Sequence, residues 1–319
     1  MRKLSALFVS MLLAFSLCSA ADEDGADLRM RLKSGETLQY AWTITSSSTS
    51  QGKEEGKAFT IAGNFVFTMT LQLKGLPVKG DTTPVAIRLQ SINYNDKHSI
   101  GDDMKTDLVV SREHVKYMEN GKVLVDSEND VGTEYVSTYL DQIKLLESGE
   151  AHSTLDISGR QSEMQGDTAL VEMFRNGGTQ TIFPLLAGKT VKPGESWEDT
   201  FSMPKIGEFK LAKPAVVHSK MTFAKWETKN GKRLAQIELV SAMEHGDLKG
   251  ENPKGMLAEI SHVNETITGT CLFDPVAGCF VDGSINNDVK YHIDGELDGQ
   301  RTGLDVVGKS AITFSKKEK

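Results

Sequence analysis

Apolar and polar residues alternate along most of this chain, the period-two rhythm of strands that bury one face. In "FVFTMTLQL", Phe65, Phe67, Met69 and Leu71 share one face while Val66 lies with Thr68, Thr70 and Gln72 on the other. The stretches "HVKYMENGKVLVD", "HSKMTFAKWETKNGKRLAQIELV", "DVKYHIDG" and "KSAITFS" read the same way. Asn120-Gly121 and Asn230-Gly231 supply tight hairpin turns. Two stretches change period. From Tyr135, the residues Val136, Tyr139, Leu140, Ile143 and Leu146 follow a helical rhythm, with Gly149 as the stop. "GDTALVEMFRNGG" has Asp167 as N-cap and Gly177 just past the end. The pattern predicts a mainly β fold with helices at about 133–147 and 167–176. "SSSTSQGKEEGK", residues 46–57, is polar throughout and reads as a mobile loop between strands.

One phrase is written twice. "KSGETL" at Lys33 and "KPGESW" at Lys192 each open an alternating run. "IRLQS" at Ile87 parallels "IELVS" at Ile237, and "TLDISGRQ" around Asp156 stands where "CLFDPVAGCF" stands later. Three features recur in the same order, the mark of a duplication. The expectation is two related antiparallel β units, half-barrel or sandwich-like, over residues 22–180 and 181–319.

The first 21 residues have a different character. Arg2 and Lys3 precede an apolar run from Leu4 to Leu17, followed by Ser19, Ala20 and Ala21. This is the layout of a secretory signal peptide, too short to span a bilayer comfortably. A lipoprotein anchored through Cys18 fits less well, because Leu17 stands where a small residue is wanted. No later stretch reaches the roughly 18 consecutive apolar residues of a transmembrane helix. The expected address is periplasmic or extracellular.

Export changes how charge and cysteine are read. The chain has 36 Lys and Arg against 44 Asp and Glu, and losing Arg2 and Lys3 leaves 34 against 44. An acidic surface argues against nucleic acid as a partner. Cys271 and Cys279 remain after the leader, in "GTCLFDPVAGCFVDG", where Pro275 and Gly278 mark a hairpin turn. A disulfide between Cys271 and Cys279 is the expectation; a register shifted by one leaves two free thiols instead.

The "FPLLAGKTVKPGESWED" stretch, with Pro184, Val191, Gly194, Ser196 and Trp197, and the "LFDPVAG" hairpin, with Phe273, Asp274 and Gly278, resemble a bacterial family of uncharacterised secreted proteins common in planctomycete-like genomes. The resemblance implies a secreted, mainly β protein and brings no catalytic residues.

Chemistry is sparse. No Gly-x-Ser-x-Gly elbow, phosphate-binding Gly-rich loop or zinc-type histidine pair occurs, so no catalytic, cofactor or metal residues are assigned. "DGELDGQRTGLD", with Asp294, Glu296, Asp298, Gly299 and Asp305, has the spacing of a calcium loop but strand-like flanks, and reads as an acidic hairpin. Trp42, Trp197 and Trp226 have the chemistry to stack on sugars, yet on alternating strands tryptophan is core. The sequon at Asn264 has meaning only in a glycosylating host, and the leader and the resemblance point to a bacterium. The reading is a non-catalytic binding protein of the envelope, holding an apolar small molecule or docking an envelope partner. The alternative is a secreted hydrolase using carboxylates such as Glu195 or Asp274.

Overall fold

The computed structural model describes residues 24–54, 57–78, 80–101, 103–176, 182–206, 209–244, 248–251, 257–297 and 300–318. The expected signal peptide, Cys18 and the expected unit boundary at 180/181 lie outside them.

The chain is mainly β, with antiparallel strands and two helices among the described residues. In order they are β1 (Ala26–Asp27), β2 (Thr37–Glu54), β3 (Lys57–Gly75), β4 (Thr83–Ile100), β5 (Met104–Ser111), β6 (Val115–Glu119), β7 (Lys122–Asp126) and helix α1 (Thr133–Ser148). There follow β8 (Ala151–Leu155), β9 (Gln165–Gly166), α2 (Thr168–Asn176), β10 (Thr190–Val191), β11 (Ser196–Ile206), β12 (Phe209–Lys229) and β13 (Lys232–Met243). The last four are β14 (Leu248–Glu251), β15 (Leu257–Asp274), β16 (Cys279–Leu297) and β17 (Gln300–Lys316). β1 and β10 form a small separate pair.

All the other strands share one 15-stranded sheet, whose main path runs β11-β12-β13-β15-β16-β17-β2-β3-β4-β5-β6-β7. The last strand pairs with β2, from Leu304↔Gly52 to Lys316↔Tyr40, so the strands of both halves are continuous. This pairing absorbs the serine-rich stretch expected as a loop. Ser46 to Gly52 lie between β17 and β3, where every residue has a ladder partner on each side. Serine and threonine reach this state because the ladder satisfies their backbone whatever the side chain is.

Local signals perform as their chemistry dictates. Asn120 and Asn230 take φ of 50° and 51°, each followed by a positive-φ glycine, closing β6-β7 and β12-β13. Asp167 caps α2 through Oδ1, which accepts the Ala169 N–H at 3.1 Å. The repeated phrases fold identically. Glu36 Oε2 accepts the Lys33 N–H at 3.0 Å, and Glu195 Oε2 accepts that of Lys192 at 2.7 Å. Gly35 and Gly194, at φ 78° and 86°, donate to Gly75 and Phe223, whose own N–H groups return to Glu36 and Glu195.

The Asp…Gly hairpin forms, but not the bridge expected within it. Asp274 Oδ1 accepts the N–H groups of Val276 and Ala277, and Gly278 turns at φ 67°. That turn pairs Asp274 with Cys279, whereas Cys271 pairs with Gly283. Cys271 lies three positions from Asp274, the residue facing Cys279, about 10 Å along a strand and beyond disulfide reach. Both thiols are free and buried, and burial pushes that of Cys271 up to about 12.

The main core lies on one face of the sheet and is closed by the chain itself. Residues 26–32, helix α2 and residues 182–191 lie against Tyr40, Trp42, Leu71, Ile87, Phe223 and Phe280. Phe183 sits at the centre, with ring centroids 4.8 Å from Tyr40, 5.2 Å from Phe280 and 5.2 Å from Phe314. A smaller core gathers Val217, Met243, Ile260, Ile293 and Val306, and a third seats Ile143 of α1 on Val110, Val115 and Val125.

Candidate functional site: the inner face of the sheet

Directly paired residues in an antiparallel ladder project to the same face, so the register can be read across the strands as rows. One row passes through Ile237, Cys271, Gly283, Phe314, Trp42 and Met69, against the buried layer of Phe183. The next holds Leu239, Gly269, Ile285, Ile312, Ile44 and Phe67. Ile285, Ile312, Ile44 and Phe67 are only half-buried, as are Phe59, Ile61 and Phe65 farther along β3. The apolar inner face therefore runs on beyond the segment that covers its base. Met69 and Leu71, placed with Phe65 and Phe67 from the sequence, do share this face, while Val66 points to the other side and is 44% exposed.

The third row changes character. It reads Asp199, Ser219, Ser241, Ile267, Asn287, Ser310, Ser46 and Phe65 across eight strands. Ser219 and Ser241 hydrogen-bond to each other at 2.7 Å, and Asp199 pairs with Arg160. Asn287 Nδ2 donates to Glu265 Oε1 at 2.9 Å. The remaining oxygens of this pair, Glu265 Oε2 and Asn287 Oδ1, are buried without a hydrogen-bond partner among the described residues. Burial raises the Glu265 carboxyl above its ordinary range, and the Asn287 hydrogen bond offsets part of that. Neither residue stands out in the sequence. They lie 22 positions apart, and only the register of β15 against β16 brings them together.

The other candidates are each engaged in local contacts. Glu195 and Asp274 are each engaged in their own turn, and Lys232 lies 3.9 Å from Asp274. Trp42 is 6% exposed within the aromatic cluster. Trp197 donates to the Leu185 carbonyl, and Trp226 donates to Asp24 beneath the Arg233 guanidinium. Asp294 and Asp305 stand on paired strands, on either side of His292. Hydrogen bonds to Asp305, then Asp294, raise its pKa. Asp298 and Gly299 lie outside the described residues. A shallow groove of about 410 Å³ between Asn64, His98 and Met118 has its Lys97 and Asp107 paired at 3.0 Å.

One cluster escaped the sequence search. His114, Asp126 and Glu128 bring ligand atoms within 4.8 Å of one another. Counting outward from the Asn120-Gly121 turn would have missed it, because a register shift between Tyr117 and Met118 pairs Lys116 with Asp126 instead of Val125. The Asp126 carboxylate is already committed to the Asn129 side chain, the Glu128 N–H and Lys116 Nζ at 3.5 Å. These bonds, Asn129 first, hold its pKa at about 2 against an ordinary 3.8. A depressed carboxylate stabilises the fold above its unfolded pKa and loses that contribution as pH falls through the folded value. The urea midpoint of the wild type should therefore fall between about pH 4 and pH 2 more steeply than that of Asp126→Asn. Equal slopes would remove Asp126 as the source.

No helix among the described residues is long and apolar enough to cross a membrane. No family model matches the chain, and no curated protein matches it in sequence. Among solved structures, lipovitellin, described for its lipid–protein interactions, aligns over 90% of this chain at 11% identity with a TM-score of 0.41. The chain spans 26% of the length of lipovitellin. An outer membrane channel from Pseudomonas putida F1 aligns over 91% of this chain and 98% of its own, at 8% identity and a TM-score of 0.22. The translocator domain of the autotransporter NalP from Neisseria meningitidis covers 88% and 90% respectively, at 7% identity and a TM-score of 0.17. The likeness to these β proteins is one of strand-rich architecture.

Proposed function

We propose that this is an exported, non-catalytic binding protein of the cell envelope that holds an apolar ligand against the inner face of its sheet. One observation carries the reading: the apolar face continues past the segment around Phe183, and Ile44, Phe65, Phe67 and Ile312 beyond it stay half-buried. Side chains of this size, side by side and left partly wet, form the kind of surface that ligands and partners cover. Export rests on the leader over residues 1–21, and the acidic surface turns nucleic acid away. The carboxylates considered for hydrolysis, Glu195 and Asp274, are spent in turns.

The test is direct. Phenylnaphthylamine, a dye that brightens in apolar surroundings, should gain emission with the full chain and lose that gain in Phe67→Asp with its far-UV circular dichroism unchanged. A wild type that leaves the dye dark, or a folded Phe67→Asp that binds it equally well, rejects the reading.

A further inference from the structure

An oily surface needs no buried polar pair, yet one lies in the inner face. Glu265 and Asn287 meet on adjacent strands; Glu265 is paired with Val289, Asn287 lies two residues from both Ile285 and Val289, and Ser310 and Ser46 continue its row onto β17 and β2. Two of the pair's oxygens are buried and unpartnered among the described residues. A buried polar atom without a partner destabilises a fold, so its retention calls for a group that completes it.

The geometry points to a neutral, hydroxyl-bearing amphiphile, its hydroxyl seated between Glu265 Oε2 and Asn287 Oδ1 and its hydrocarbon along Ile285, Ile312, Ile44 and Phe67. This assignment rests on the function proposed above. A hydroxyl both donates and accepts: it gives its proton to the Asn287 carbonyl oxygen, and burial shifts Glu265 toward the neutral form, whose O–H the same hydroxyl can accept. An anionic head would face two oxygens. An ammonium head needs a charged carboxylate, the form that burial disfavours at Glu265. Ser46 and Ser310 lie farther along the same row, where additional hydroxyls of a glycerol-type head find partners.

The experiment is competition for bound phenylnaphthylamine by three amphiphiles of equal chain length, dodecanol, dodecanoate and dodecylamine. In the wild type, dodecanol should displace the dye at about tenfold lower concentration than the other two, the effect of one well-made buried hydrogen bond. Asn287→Leu should still bind the dye and lose the preference. Asn287→Asp, nearly unchanged in size, should move the preference to dodecylamine, and it serves if the leucine variant does not fold. Equal displacement by all three, or a preference that survives Asn287→Leu, overturns the head-group assignment while the apolar reading stands. Equal displacement with an Asn287→Leu more stable than wild type identifies a buried water as the sole partner of the pair, which also overturns it. A wild type that binds no dye fails at the earlier step instead.

Discussion

Replacing Phe183 by alanine should cost about 3–5 kcal/mol of stability, the range for emptying a buried aromatic site. The ring packs on four others: Tyr40 at 4.8 Å, Trp42 at 5.6 Å, and Phe280 and Phe314 at 5.2 Å each. Tyr40 and Trp42 belong to β2, Phe280 to β16 and Phe314 to β17, so one side chain ties both ends of the chain to the crossing segment. These neighbours are strand residues locked in ladders and cannot collapse into the void. The loss should appear as a lower urea midpoint together with weakened near-ultraviolet dichroism from the aromatic cluster. A loss below about 1 kcal/mol would show that the crossing segment is not part of the core.

Gly283→Ala tests the inner face from the opposite direction, by adding one carbon. Its Cβ would stand 2.5 Å from Phe314 Cζ and 2.7 Å from Cys271 Sγ, both within side chains at most 2% exposed. No positive φ is involved at this position, so the penalty is steric, about 2–3 kcal/mol. Cys271→Ala alone should also destabilise, because it leaves a hole. In the Gly283→Ala background the same change should restore stability, since neighbours sharing one space are not additive. Additive losses would mean that Cys271 and Gly283 do not compete for that space. The result also bears on the thiol, which this packing holds against Gly283 and away from Cys279.

How far the candidate site was legible differs residue by residue. The apolar face of β3 follows from alternation alone, because successive side chains of a strand must point to opposite sides. Which apolar face stays partly open does not follow, since Phe183 covers Trp42 and stops short of Ile44 only once residues 182–191 have folded back onto the sheet. Glu265 and Asn287 carried no signal. Each is an ordinary polar residue until a register shift between Leu272 and Phe273, beside the hairpin turn, sets Glu265 opposite Val289. The cysteines teach the same lesson in reverse: a hairpin was foreseen, but the length of its turn put Cys279 opposite Asp274.

The sequence by itself determined everything set by local backbone chemistry. Positive-φ glycines and asparagines made the turns, Asp167 capped a helix, and Glu36 and Glu195 closed the repeated turns through bonds three residues long. Period two against period 3.6 separated strands from helices. Only the tertiary structure decided that β17 pairs with β2, that a serine-rich stretch becomes a ladder, and that a polar row crosses an apolar face. Those outcomes depend on contacts between residues distant in sequence, such as Thr45 with Ala311, 266 positions apart. Pairing at that distance is selected by the burial of whole faces, an energy that no single segment contains.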